Sequence, residues 1–253
     1  MSHFQGRRFL RLLCNDLLNQ WRNIWIATLA LAGIGLIVYL YVFNLDPRVV
    51  GDPELYRALF SVALIGGGLS FTSTIFADLH DPLQRSYFLT LPCSNLERFL
   101  SRYVLSAPLF YVYVLVVYAV FDWVAALLAN AVIGIRPAAF APFEPWMLQV
   151  TLTYFVLHAL MFGGAIYFRS HALIKTSLAV GIIWFAMVLT QLVALRVFYW
   201  DHFTTFLPVA SAMPTFAFVP GPTAMMVARL LLALWVLLLS FQCLREHEVQ
   251  REL

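Results

Sequence analysis

The sequence predicts an all-α, polytopic membrane bundle of six transmembrane helices, with an N-terminal interfacial amphipathic helix and both termini cytoplasmic. Three observations carry that expectation. Of the 253 residues, 62% are hydrophobic and only 11% charged, with a mean hydropathy of +0.83. A water-soluble domain holds about 45–50% apolar and about 25% charged residues, so this composition calls for lipid as the solvent. The apolar residues also gather into six runs of about the 20 residues that a bilayer core roughly 30 Å thick requires. Finally, the basic residues fall unequally between the loops on the two sides.

The six runs are Ile24–Phe43, Arg57–Phe76, Tyr103–Ala129, Trp146–Phe168, Ser177–Arg196 and Thr223–Cys243, and together they form one domain spanning residues 1–253. An even number of spans puts both termini on one side. That side receives Arg7, Arg8, Arg11, Arg22, Arg85, Arg98, Arg102, Arg169, Lys175, Arg245 and Arg251, which is 11 of the 16 basic residues. The other side receives Arg48, Arg57, Arg136, Arg196 and Arg229, the remaining five. The positive-inside rule makes the first side cytoplasmic. Trp146, Tyr199 and Trp200 suit an outer aromatic belt, and Trp21 and Trp25 an inner one. Cys14, Cys93 and Cys243 then face the reducing cytoplasm, where no disulfide is expected.

Residues 1–23 read as the amphipathic helix. At 100° per residue, Phe9, Leu10, Leu13, Cys14, Leu17, Leu18, Trp21, Ile24 and Trp25 share one half of the wheel. Arg8, Arg11, Asn15, Asp16, Asn19, Arg22 and Asn23 share the other, and Leu12 is the one misfit. Arg-rich helices of this kind lie flat on an anionic leaflet. The other reading is a plain cytoplasmic extension of the first span.

Little in the chain points to catalysis. No G-x-x-x-x-G-K-[ST] loop is present to cradle nucleotide phosphates, and the sole lysine sits in "HALIKTS". H-E-x-x-H and G-x-S-x-G are also absent. Polar residues inside the apolar runs are costly and therefore informative. Asp122 and Arg229 lie at comparable depth near the outer boundary, which makes them a candidate intramembrane ion pair; otherwise each snorkels separately to the interface. His158 stands near mid-membrane without a matching histidine on a second run, so a haem is not indicated. Small residues at Ala63/Gly67, Gly66/Ser70 and Ala159/Gly163 mark close helix approach, and Gly66–Gly68 also offers a hinge.

The inner connection, residues 77–102, includes "ADLHDPLQRSYFLTLPCSNLERFLSR" and runs on into "YV". It is longer than a connector needs to be. Ser94 and Glu97 form an S-x-x-E capping box that starts a helix at Asn95. Asp81–Pro82 and Leu91–Pro92 frame a short segment before it. A loop that mixes apolar and charged side chains in this way suits the docking of a soluble partner.

At these residues the chain resembles the permease subunit of ABC-2 type transporters, in which a phrase like "FLTLPxSNLERFLxRY" follows the second span. The resemblance covers the six-span layout, with about 20 residues as its specific part. It implies a multi-pass protein of the bacterial inner membrane that is not itself an enzyme. It further implies a second permease, as homodimer or heterodimer, and cytoplasmic ABC ATPase subunits that hold ATP and magnesium, with no cofactor or metal on this chain. ATPase coupling would fall to Asp81, Gln84, Arg85, Ser94, Glu97, Arg98 and Arg102, with Arg169 and Lys175 as a second contact. The cargo would be exported and is expected to be hydrophobic or amphipathic because the spans are so apolar, and membrane lipid is a further expected partner. Two other classes stand beside this one: a non-transporting scaffold subunit, and an intramembrane lipid enzyme using His158 and Asp122, which would have to converge. Nucleic acid is not an expected partner, because no basic run is interleaved with aromatics.

Overall fold

A computed structural model describes residues 4–45, 53–80, 93–133, 144–198 and 222–249, apart from some side chains within the helices. Of the described residues, 94% are helical and none lies in a strand, so the fold class is all-α. The helices are α1 (Gly6–Leu45), α2 (Pro53–Thr74), α3 (Ala77–His80), α4 (Asn95–Val104), α5 (Phe110–Ile133), α6 (Pro145–Tyr167), α7 (Ala172–Phe198) and α8 (Pro222–Val249). A π-helical turn, Leu105–Leu109, joins α4 to α5.

Five described stretches are long and apolar enough to cross a bilayer: Glu54–His80, Asn95–Leu127, Pro145–Tyr167, Ala172–Ala194 and Thr223–Glu246. The chain is a multi-pass membrane protein. The other expected span, Ile24–Phe43, lies within α1, and part of its side chains fall outside the described residues.

The N-terminal segment differs from expectation. Gly6–Leu45 is one continuous 40-residue helix, so no break separates an interfacial helix from the run that follows. The extension reading fits this geometry. Nor do the two halves of the wheel divide between lipid and water. Asp16, from the polar half, is buried, and Leu13 and Leu17 pack beside it on the core. Leu10, Leu18, Trp21 and Trp25 face outward. The physical reason is the partner: α1 lies against a helix that presents charged side chains, so a carboxylate makes the better inner face there.

α1 runs parallel to the rod formed by α4, the π-helical turn and α5. Arg8 meets Glu97, Asp16 meets Ser101, the Thr28 hydroxyl meets that of Tyr113, and Gly35 comes up against the ring of Phe121. The π-helical turn has a local cause. Pro108 has no N–H and breaks the regular ladder. Beside it, the Ser106 carbonyl accepts the Tyr154 hydroxyl of α6 at 2.9 Å, a cross-helix bond inside the apolar bundle.

α6 is the helix on which α2, α7 and α8 converge. Its glycines explain how. A Cβ at Gly163 would fall 2.7 Å from Ser240 Oγ on α8, and one at Gly164 would fall onto the Thr176 side chain of α7. On α2, a Cβ at Gly68 would strike the Tyr154 ring of α6. Because lipid tails compete for apolar contacts, close backbone approach is what such helices gain from small residues. Gly66 is different: a Cβ there meets nothing within 4 Å. Gly164→Ala is therefore expected to destabilise by about 1–3 kcal/mol through overpacking. Gly66→Ala is expected to stabilise by up to about 1 kcal/mol through helix propensity. Thermal melts in detergent check both signs.

Two apolar clusters fill the bundle. One holds Ile75, Phe76, Phe99, Leu105, Phe162 and Leu244; the other holds Phe60, Leu64, Phe110, Val114, Tyr118 and Tyr154. Leu244 near the end of α8 and Leu13 near the start of α1 belong to the first cluster. The start of α1 and the end of α8 therefore lie at the same end of the bundle.

Candidate functional site

At that end, five charged side chains from three helices, Arg8 and Asp16 of α1, Asp78 of α3 and Glu97 and Arg102 of α4, meet in a seam. Glu97 lies at its first focus and is fully buried. The capping box expected from Ser94 and Glu97 is formed: Glu97 N–H donates to Ser94 Oγ at 3.3 Å, and Ser94 N–H donates to Glu97 Oε2 at 2.9 Å. The same carboxylate does more. Oε1 accepts the Gln5 N–H at 2.8 Å, just before the first turn of α1, and Arg8 Nη2 at 2.9 Å. Oε2 also accepts Arg8 Nε at 2.9 Å. One carboxylate thus caps the N-termini of α4 and α1, where both helix dipoles favour negative charge, and receives a bidentate guanidinium.

Arg102 is the second focus. It is nearly buried, 6% exposed, and its guanidinium reaches three helices. It lies 3.5 Å from Asp16 Oδ2 on α1 and 3.1 Å from Asp78 Oδ2 on α3. It also donates to the Ile75 carbonyl, where α2 ends and leaves acceptors without helical partners. Asp16 in turn accepts Ser101 Oγ–H at 2.7 Å. Next to this, the His80 ring meets the Ala165 carbonyl of α6 at 3.0 Å. The start of α1, the end of α2, α3 and α4 are held as one polar unit.

A smaller cluster closes the opposite end. Arg57 on α2 pairs with Glu54 at 2.6 Å and with Glu144, the residue before α6, at 2.8 Å, and lies 5.6 Å from the Trp146 ring. Between the two polar ends α2 runs for 22 residues, or about 33 Å of helix, which matches a hydrocarbon core.

The residues expected to face a partner divide three ways. Asp81, Gln84 and Arg85 lie outside the described residues, as do Arg136, Tyr199 and Trp200. Glu97, Arg98 and Arg102 are buried, and Ser94 is half-buried, so these charges are directed into the chain rather than presented on a docking face. The outward edge of α4 is Leu96, 47% exposed. Arg169 is exposed in the four-residue turn between α6 and α7, where His171 holds a left-handed backbone (φ 53°), and Lys175 is exposed on the first turn of α7 beside it. Lys175 donates to Ser170 Oγ at 3.2 Å.

Of the expected Asp122–Arg229 pair, Asp122 is buried on α5, and Arg229 is exposed on α8, which packs chiefly on α6 and α4. His158 and Asp122 do not converge. His158 is fully buried and meets Ser106 Oγ at 2.9 Å among Tyr103, Tyr154 and Phe162. Ser106 and Asp122 are 16 residues apart on one rod, about 24 Å of helix. His158 serves as a packing residue at the π-helical turn.

Sequence reading missed Asp16 and Asp78 as partners of Arg102, and Arg8 as the partner of Glu97. A signal for the first was present: Asp16 is the only acidic residue in α1, set among arginines and asparagines. No protein-family model, curated protein or solved structure matches the chain.

Proposed function

We propose that this chain is the membrane subunit of an ATP-driven exporter of the ABC-2 type, working with a second permease and with separate cytoplasmic ATPase subunits that hold ATP and magnesium. In this reading α1 supplies a sixth crossing, the seam end is cytoplasmic, and the membrane is a bacterial inner membrane. The observation that supports it best is the mechanical link between the seam and the spans. α4 continues through the π-helical turn into α5, and Glu97 and Arg102 clamp it to α1, α2 and α3. A push on the seam end would move these helices together and repack the bundle. ATP then biases the inward- and outward-facing packings only through the ATPase dimer it closes, whose two states differ in affinity for the seam end.

With Glu97 and Arg102 directed inward, the exposed cations of the α6–α7 turn become the testable part of the contact surface. The double charge reversal Arg169→Glu/Lys175→Glu is expected to weaken association with the ATPase about tenfold or more while leaving the melting midpoint unchanged. Co-purification at matched expression measures it. Undiminished association would remove the turn from the coupling surface, and the absence of any ATPase partner would favour a scaffold subunit.

A further inference from the structure

A cleft of about 520 Å³ opens between α1, α2 and α5. It lies along the part of α1 beyond the seam, where the helix stands off α2 and touches α5 through Thr28 and Gly35. Its floor is made of small residues, among them Ala32, Ala63, Gly66 and Gly67, and its sides of Val62, Val117, Phe110 and Phe121. The volume falls within the roughly 300–1,000 Å³ of ligand sites.

We infer that this cleft holds an acyl chain of a membrane lipid. Three observations select that occupant. First, the cleft lies at hydrocarbon depth, between the charged seam and the Arg57–Glu144 cluster at the other end. Second, no charged side chain lines it among the described residues. Third, of the hydroxyls in its wall, those of Thr28, Thr74, Tyr113 and Tyr118 are already engaged within the chain, beside the single hydroxyl of Ser70. Thr28 Oγ donates to the Ile24 carbonyl and meets Tyr113, Thr74 Oγ donates to the Phe71 carbonyl, and Tyr118 donates to the Tyr56 carbonyl. A guest with charges or many hydrogen-bonding groups would leave them unmatched, at high cost away from water. A saturated chain leaves none. Gly66 matters because the space above it is open, and any larger residue there would occupy the volume the chain needs. The inference rests only on the bundle sitting in lipid, not on the transport reading.

The test uses the full-length chain purified from vesicles of phosphatidylcholine doped with the same lipid carrying a photoactivatable diazirine at the end of one acyl chain. After a delipidating detergent wash and illumination, labelled peptides are mapped by mass spectrometry. Labelling at Val62, Gly66 and Val117 is expected to exceed that on the open surface of α7 by about tenfold, the ratio of a retained lipid to an exchanging one. Gly66→Trp is expected to abolish the excess. Gly181→Trp, which also projects into open space but on α7, is expected to leave it unchanged. If Gly66→Trp does not melt cooperatively, Gly66→Leu is read in its place. Equal labelling of cleft and α7, or an excess that survives both Gly66 variants, overturns the inference. Either result leaves ATPase association, and hence the transport reading, untouched.

Discussion

Arg102→Met is expected to lower stability by about 3–5 kcal/mol, because it strands a buried carboxylate and a helix-end carbonyl together. For a chain of this length that is a fall of roughly 6–20 °C in the melting midpoint. The effect should exceed that of any other single charge removal, since this guanidinium alone reaches Asp16, Asp78 and the end of α2. Arg102→Lys should recover little, because its three donors radiate from one nitrogen, whereas Arg102 reaches Asp16, Ile75 and Asp78 through three separate nitrogens of a planar fork. The double variant Asp16→Asn/Arg102→Met should be more stable than Arg102→Met alone, because the stranded carboxylate is gone. Calorimetry or dye-based melting in one detergent compares the four proteins. An Arg102→Met protein as stable as the parent would show that the seam contributes nothing to the fold.

Glu97→Gln is expected to uncouple α1 from α4 without unfolding the bundle. An amide accepts through one oxygen where the carboxylate accepts through two, so the bidentate pairing with Arg8 and the shared capping of two helix N-termini are both lost. The neighbouring Cys93 thiol, half-buried beside Ser94, reports the opening. Its maleimide labelling should accelerate by roughly an order of magnitude, as a local opening becomes easier. Cys14 is already exposed and should label at its parental rate. Equal rates at Cys93 in parent and variant would show that Arg8 and Gln5 are not what holds the start of α1 down. Glu97→Lys should behave worse than Glu97→Gln, since it sets a cation against Arg8 and against two helix N-termini.

These two side chains also show where sequence reading reached and where it stopped. The long helices α2, α5, α6, α7 and α8 were legible because each is a run of apolar residues whose length is fixed by the bilayer, a property of the local sequence. The capping box was legible for the same reason, since Ser94 and Glu97 are three residues apart. The Gly163 packing contact was legible from residue size alone. What was not legible was long-range. Nothing near Glu97 in the sequence says that Arg8, 89 positions away, fills its second oxygen. An S-x-x-E helix with arginines looks the same whether it faces a partner protein or the chain's own N-terminus. The wheel of residues 1–23 was misleading for a related reason. It sorted polar from apolar on the assumption that the apolar half lies in the leaflet and the polar half faces water, whereas α4 offers Ser101 and Arg102 to Asp16 of the polar half. The depth argument for Asp122 and Arg229 placed both residues along the membrane normal, but it carried no information on which helices are neighbours.

The seam changes what a coupling surface must be in this chain. Its charges are committed to joining helices, so a partner would engage the surface around it, such as Leu96 on α4 and the α6–α7 turn. The clamp would then pass that contact on to α1, α2 and α5. Variants that break the clamp should leave partner binding intact and uncouple it from movement. Variants on the turn should do the reverse.

The most direct measurement is to purify the tagged full-length chain from its native membrane in mild detergent, identify what accompanies it, and assay the assembly for ATP hydrolysis. The account predicts a co-purifying ATPase that carries the nucleotide-binding loop this chain lacks, with hydrolysis that the parent couples and the Glu97→Gln variant does not. A chain that purifies alone, or with partners that hydrolyse no nucleotide, would contradict it.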